Sequence, residues 1–212
     1  MTPRRTSAAR CEIVYLVFTN SVLDLIGNTP MLSLRAMTGR NIFAKAEYLN
    51  PGGSIKDRVA KHMIEQAEAR GVLHPGMTIM EPTSGNTGIG IALVGVQKGY
   101  RVVIVMPENM SEERKKIIHA LGAELVLTPA EESIDGSLRE VERLQRLDPT
   151  AFVPQQFENP DNPRIHYMTT APEIWEQLDG RVDVFVSGLG SGGALQGVGS
   201  FLKEQDPRIR VV

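Results

Sequence analysis

From residue 21 onward, short apolar runs alternate with stretches of helical periodicity, the pattern of a parallel sheet connected by crossover helices. Residues 41–48 (NIFAKAEY) alternate as a strand does and run into the turn Asn50-Pro51-Gly52-Gly53. In the next segment Val59, Met63 and Ala67 share one helical face, with Ala60 and Ile64 beside them, and Gly71 ends the helix. Residues 78–80 predict a short strand leading into Pro82-Thr83-Ser84-Gly85. Residues 86–98 predict a second helix, small and apolar enough to be buried. The β-branched run at 102–106 is that of a strand covered on both faces.

A third helix opens at Ser111-Glu112-Glu113-Arg114 and closes near Gly122; residues 124–128 form a strand and 134–147 a helix. The Pro- and Asn-rich segment 154–163 is the expected crossing between two domains. After it come a helix at 166–178, a strand at 182–187, a glycine-rich turn at 188–193, a helix at 194–204 and an opening strand at 209–212. A sheet that stops on an opening strand reads as cut short.

Composition narrows the function classes. The 212 residues are 42% hydrophobic and 23% charged, a globular balance long enough for one large or two small domains. Lys plus Arg is 23 against 25 Asp plus Glu, a net charge of −2, which gives no sign of a nucleic-acid partner. The one cysteine, Cys11, excludes an internal disulfide. His62, His74, His119 and His166 lack metal-ligand spacing and read as helix or surface residues, so no metal is expected. No apolar run approaches about 18 residues, so no membrane span is expected and the cytoplasm is the expected compartment. The run 112–116 reads as a solvated helix face, and Met106 and Met110 as packing residues.

Residues 1–20 stand apart. Arg4, Arg5 and Arg10 precede the first acid, Glu12, and a short apolar run follows at 13–18. That run is shorter than the roughly 7–15 residues of a secretory apolar region. A disordered arm, an upstream start codon and an organelle-targeting segment all fit, and the stretch is left out of the fold.

Three turns fall between a strand and a helix, where ligands of open α/β sheets bind. Helix N-termini there present unpaired N–H groups and favour anions. The first turn is Asn50-Pro51-Gly52-Gly53-Ser54-Ile55-Lys56-Asp57-Arg58. Ser54 with Asp57 suits an ordinary helix cap, but a cap leaves Lys56 unexplained. A cation in the first turn opposes the helix dipole, and burial would lower its pKa toward a nucleophilic neutral amine. In the second turn, Glu81-Pro82-Thr83-Ser84-Gly85-Asn86-Thr87-Gly88, the hydroxyls of Thr83, Ser84 and Thr87 and the Asn86 amide suit one carboxylate; a plain helix cap suits the same residues. The third, Ser187-Gly188-Leu189-Gly190-Ser191-Gly192-Gly193-Ala194, can curl round a phosphate. Gly188, Gly190 and Gly193 also fit a dinucleotide fingerprint, although no strand ending in an acid follows about 20 residues on. A lysine, a carboxylate cradle and a phosphate nest together are what an amino-acid enzyme using pyridoxal phosphate needs.

The same strings resemble the cysteine synthase and cystathionine β-synthase family of fold-type II pyridoxal-phosphate enzymes. They are Ile26-Gly27-Asn28-Thr29-Pro30, the NPGGSIKDR and EPTSGNTG runs, Met106-Pro107-Glu108, Leu121-Gly122-Ala123-Glu124, Gln155-Gln156-Phe157 and the GSGG turn. They occur in family order across 21–212. The resemblance implies an α/β fold of two open, mostly parallel sheets with flanking helices, like the tryptophan synthase β chain, with the second domain incomplete. It implies a larger cofactor-phosphate domain (21–40 with 156–212) and a smaller one (41–155) bearing the lysine and the carboxylate loop.

Position by position, the resemblance makes Lys56 the catalytic residue and the cofactor's attachment point. Asn86 partners the cofactor ring, and Gly190, Ser191, Gly192, Gly193 and Ala194 form the phosphate loop. Thr83, Ser84, Asn86, Thr87 and Gln156 bind the substrate. The family commonly has Thr or Ser where Ala194 stands. The implied reaction is a β-replacement through an aminoacrylate, making L-cysteine from O-acetylserine and sulfide. The alternatives are serine with homocysteine, as in cystathionine β-synthase, elimination without sulfur addition, as in a serine or threonine dehydratase, and an inactive fragment. Thr169-Thr170-Ala171-Pro172-Glu173-Ile174-Trp175 is more similar to cysteine synthases. A homodimer is implied, with serine acetyltransferase as a further partner.

Overall fold

The computed structural model describes residues 18–83 and 85–212, so positions 1–17 of the arm expected at 1–20, with Cys11, and Ser84 lie outside the described residues. In chain order the elements are β1 (Met31–Ser33), α1 (Arg35–Thr38), β2 (Phe43–Lys45), α2 (Lys56–Ala69), β3 (Thr78–Pro82), α3 (Asn86–Gln97), β4 (Arg101–Pro107), α4 (Glu112–Ala120), β5 (Glu124–Thr128) and α5 (Ser133–Leu147). Then come α6 (Asp161–Ile165), a π turn (His166–Thr170), α7 (Ala171–Gln177), β6 (Val184–Phe185), α8 (Gly193–Gln205) and β7 (Arg210–Val211).

The α/β class holds. Strands β3, β4 and β5 form a parallel sheet in sequence order, with Ile79 beside Val102 and Ile104 beside Leu125. Successive strand residues point to opposite faces. Ile79, Val102, Ile104 and Met106 therefore join Ala60 and Ile64 of α2 and Ile91 and Val94 of α3 in one core. Met80, Val103 and Val105 pack with Val141 of α5 on the other face. Two covered faces explain the unbroken apolar run of β4, and each large side chain so buried contributes about 1.5–3 kcal/mol. Phe152 closes the outer edge of β3: Met80 N donates to its carbonyl at 2.9 Å and its own N donates to Thr78 O at 2.8 Å.

A third core gathers Ala171, Ile174, Val198, Leu202 and Ile209 around α7 and α8, beside the parallel pair β6–β7. Strands β1 and β2 pair antiparallel, Leu32 against Ala44, across positions 40 and 41.

Several boundaries differ from expectation. The strand expected at 41–48 is ordered only over Phe43–Lys45, because Glu47–Leu49 turns as a 3-10 helix that sends the Glu47 carboxylate inward. Within 154–163, Asp161–Ile165 is helical. The helix expected from 166 opens as a π turn, in which Ala171 N bonds to His166 O. Pro172 lies at the start of α7 and has no N–H for the ordinary ladder. The strand expected at 182–187 shrinks to Val184–Phe185, and α8 starts at Gly193. Gly71 ends the segment after α2 with φ +66°, as a left-handed terminator does. His74 and His119 are exposed; His62 and His166 are buried on their helices. Met106 is buried, and Met110 packs against the first core.

Candidate active site

The starts of α2, α3 and α8 carry the three turns singled out in the sequence. A close approach brings the first two together. The Gly90 Cα hydrogens face α2, and a Cβ there would lie 3.0 Å from the Lys56 carbonyl oxygen, so α3 packs directly on the first turn of α2. Helix α3 begins behind Gly85 and α8 behind Gly192 (φ +79°), neither of which supplies a capping side chain. The N–H groups at such starts have no partner within the helix and suit an anion.

A continuous chain of hydrogen bonds joins all three turns. Lys56 Nζ, in the first turn of α2, donates to Ser191 Oγ at 3.0 Å. Asn162 Nδ2 donates to the same Ser191 Oγ at 2.9 Å and to the Gln156 carbonyl oxygen at 2.8 Å. Thr87 Oγ1, near the start of α3, donates to Gln156 Oε1 at 2.6 Å, and both residues are buried. Thr83 is buried beside them, its Oγ1 accepting from Gly85 N at 3.2 Å. Asn86 opens α3 exposed to solvent. Ala194 follows Gly193 in the first turn of α8, half-buried and without a hydroxyl.

Burial sets the electrostatics. Lys56 is removed from water enough to lower its pKa below the ordinary lysine value, as its placement in the sequence led us to expect. Glu81, at the end of β3, is 1% exposed, and desolvation pushes its pKa up to about 7. Its oxygens accept from Gln155 N at 3.1 Å and Gln156 N at 3.4 Å, which partly offset that shift. Those bonds hold Gln155 in the left-handed region (φ +57°), a conformation costing about 1–2 kcal/mol for a non-glycine residue, and so set where Gln156 reaches. Asp57 is buried, with its pKa raised to about 6 by desolvation; it accepts from Gly52 N at 2.5 Å. Ser54 Oγ accepts from Lys56 N at 3.1 Å. The expected Ser54–Asp57 cap is thus split: each side chain fixes a different backbone N–H of the turn before Lys56.

Behind this turn lies a buried ionic cluster. Arg58 forks onto Glu47 (2.8 Å from both Nε and Nη2) and onto Glu173 of α7 (2.6 and 2.7 Å). Lys45 pairs with Glu173 at 2.6 Å, and Thr29 Oγ1 donates to Glu47 at 2.6 Å. These partners pull the Glu173 pKa down to about 2 against the opposing effect of burial. The Gly27-Asn28-Thr29 string is fastened here too, since Gly27 N donates to Asn50 Oδ1 and Asn28 N to Glu173.

The structure therefore brings Lys56, Ser191, Gln156 and Thr87 into one network, with Thr83, Gly192 and Gly193 adjacent. Asn86 and Gly190 lie exposed at the rims of their loops. Sequence reasoning missed Asn162, Glu81, Glu47 and Glu173. Asn162 sits in a segment read as a domain crossing, and the signal for it was the pair of Asn-Pro steps at 159–160 and 162–163. No spacing pointed to Glu47 and Glu173, which reach Arg58 from 11 and 115 positions away. A depression of about 880 Å³, lined by Val72, Pro75, Met77 and Phe152 among others, lies at the opposite end of β3 and shares only Gln155 with this region. Among the described residues, no group of His, Cys, Asp or Glu is placed to hold a metal ion, and no helix is long and apolar enough to cross a membrane.

Parallel strands, uncapped helix starts and a desolvated lysine hydrogen-bonded to a glycine loop are the features that an anion-binding amine site in an α/β fold requires. The profile of the pyridoxal-phosphate dependent enzyme family matches residues 22–212, and the chain belongs to that family. A cysteine synthase of Staphylococcus aureus is 49% identical over 197 residues, 91% of this chain and 63% of that protein. Among solved structures, a cysteine synthase from Entamoeba histolytica superposes with a TM-score of 0.88 at 41% identity, covering 99% of this chain and 63% of that one. An O-acetylserine dependent cystathionine β-synthase from Helicobacter pylori gives 0.86 at 40%, covering 92% and 65%. The chain thus spans about 63% of the length of the curated relatives it matches. The family match displaces the dinucleotide alternative for Gly188, Gly190 and Gly193.

Proposed function

We propose that this chain carries the site of a pyridoxal-phosphate dependent β-replacement that makes L-cysteine from O-acetylserine and sulfide. The observation that supports this reading is the hydrogen-bonded chain Lys56–Ser191–Asn162–Gln156–Thr87, which ties an amine to a glycine loop on one side and a hydroxyl-rich turn on the other. The residues fit the cofactor: a desolvated amine stands one hydrogen bond from a loop whose following helix start has no side-chain cap. When bound, pyridoxal phosphate supplies an electron sink for the substrate α-carbon.

The chain's own groups do the rest. Burial raises the neutral fraction of the Lys56 amine, which makes it a nucleophile for attachment and afterwards a base for the α-proton. Gly190, Ser191, Gly192 and Gly193 bind the phosphate through backbone N–H groups and the Ser191 hydroxyl. Ala194 adds no hydroxyl there, which costs about 1 kcal/mol of phosphate binding. Asn86 bonds the cofactor ring. Thr83, Ser84, Thr87 and Gln156 hold the substrate carboxylate and so fix which face of the α-carbon Lys56 meets. Acetate leaves the β-carbon, sulfide adds there, and Lys56 returns the proton to the α-carbon.

By the family resemblance we further assign a homodimer in the cytoplasm, serine acetyltransferase as a partner, and two domains, 21–40 with 156–212 and 41–155. A second reading, homocysteine in place of sulfide, is supported by the likeness to the O-acetylserine dependent cystathionine β-synthase of Helicobacter pylori.

The test is to load the chain with pyridoxal phosphate, add O-acetylserine with sulfide or with homocysteine, and quantify both products. We expect L-cysteine from sulfide, and none with Lys56→Ala. Cystathionine formed faster than cysteine would transfer the assignment to the second reading, and neither product would overturn both.

A further inference from the structure

We propose that Asn162 is a positioning residue that leaves the Ser191 hydroxyl proton free for an anion at the 190–193 loop and ties that loop to Gln156. The inference rests on the reading of this loop as the seat of the cofactor phosphate. Counting donors and acceptors carries it. In the cofactor-free chain the two lone pairs of Ser191 Oγ are filled, one by Lys56 Nζ at 3.0 Å and one by Asn162 Nδ2 at 2.9 Å, and the Asn162 donor is the one that stays when the Lys56 amine is taken up by the cofactor. A hydroxyl whose acceptor capacity is spent has only its proton left to offer. Ser191 is the sole hydroxyl residue between 188 and 194, and Ala194 adds none, so this proton is the loop's one side-chain donor.

Asn162 has no freedom to behave otherwise. Both of its amide protons are used, on Ser191 Oγ and on the Gln156 carbonyl oxygen. Exchanging its oxygen and nitrogen would set two carbonyl oxygens 2.8 Å apart, lose the bond to Gln156 and turn an acceptor toward the Ser191 proton. The residue is 1% exposed, and its Oδ1 has no hydrogen-bond partner among the described residues. That oxygen rests where a Cβ on Gly193 would be, which gives Gly193 a physical reason to be glycine. The segment bearing Asn162 is pinned from two sides. Asp161 pairs with Arg70 beyond the end of α2 at 2.5 Å, and the Pro163 carbonyl lies against Gly197 of α8 so closely that no side chain fits at 197. An unpartnered buried oxygen is destabilising, because it gives up its bonds to water and gains none. Holding an amide here at that cost makes sense if its two donated bonds set the geometry of the loops on either side.

The test compares affinities for pyridoxal 5'-phosphate, for pyridoxal, which lacks the phosphate, and for inorganic phosphate. Titration calorimetry is run on the wild-type chain, Asn162→Ala, Asn162→Asp, Ser191→Ala and the double alanine variant. We expect Asn162→Ala to weaken pyridoxal 5'-phosphate and inorganic phosphate about tenfold while pyridoxal changes by less than about twofold. Asn162→Asp keeps the size but offers only acceptors, so it captures the Ser191 proton and weakens phosphate binding at least as much. It also serves if the alanine variant does not fold. In the Ser191→Ala background, loss of Asn162 should add less than about twofold. Equal losses for pyridoxal and its phosphate would reduce Asn162 to scaffolding and overturn the proposal. Unchanged phosphate affinity or full additivity would overturn it alone. Wild-type chain that binds pyridoxal 5'-phosphate no better than pyridoxal would overturn the loop assignment and the proposal with it.

Discussion

Glu81 is a carboxylic acid almost wholly removed from water at the mouth of the site, and its titration carries a sign that can be measured. Its folded pKa of about 7 lies above the ordinary 4.5, so the folded state holds the proton more tightly than the unfolded chain. Stability from this group is fully present below about 4.5 and is lost as pH rises through about 7. Urea midpoints of the wild-type chain should therefore fall relative to Glu81→Gln between about pH 5 and about pH 8. Parallel pH profiles would contradict this. Asp57 shifts in the same direction but is present in both proteins, so it cancels. Single residues were unevenly legible in the sequence. Lys56 stood out because a cation at a helix start contradicts the helix dipole, and the structure supplies the burial that makes the contradiction useful. Asn162 contradicts nothing locally, and its partners Ser191 and Gln156 lie 29 and 6 positions away.

Among elements, the alternation of strands and helices from α2 through α5 was readable because each amphipathic or β-branched run is long and both faces of the sheet are covered. What stayed hidden was set by contacts rather than period. Helix α6 lies inside a Pro- and Asn-rich stretch, the π turn answers a proline downstream, and β6 is two residues long. The cluster of Arg58 with Glu47 and Glu173 fastens α2 to the Glu47–Leu49 turn and to α7. Its members are spread over more than 100 positions, so spacing could not show it. Arg58→Leu leaves two carboxylates buried without their main partner, and should cost about 3–5 kcal/mol in urea unfolding. A loss below about 1 kcal/mol, the range of exposed pairs, would show that the cluster contributes little to holding α2 in place.

At the scale of the molecule, the three turns are far apart in sequence and follow strands of three different sheets; they meet through the close packing of α3 on α2 and the hydrogen bonds that run from Lys56 to Thr87. The family was legible from strings in their order, and its profile covers residues 22–212. The bonds that join the turns were not legible, because Lys56 and Ser191 are 135 positions apart. The central claim is that this joined site holds pyridoxal phosphate on Lys56. It is tested most directly by incubating the chain and its Lys56→Ala variant with the cofactor, desalting both and recording the visible spectrum. A cofactor band retained by the wild-type chain and missing from the variant is the predicted result. A band of equal strength in both, or none in either, would contradict it.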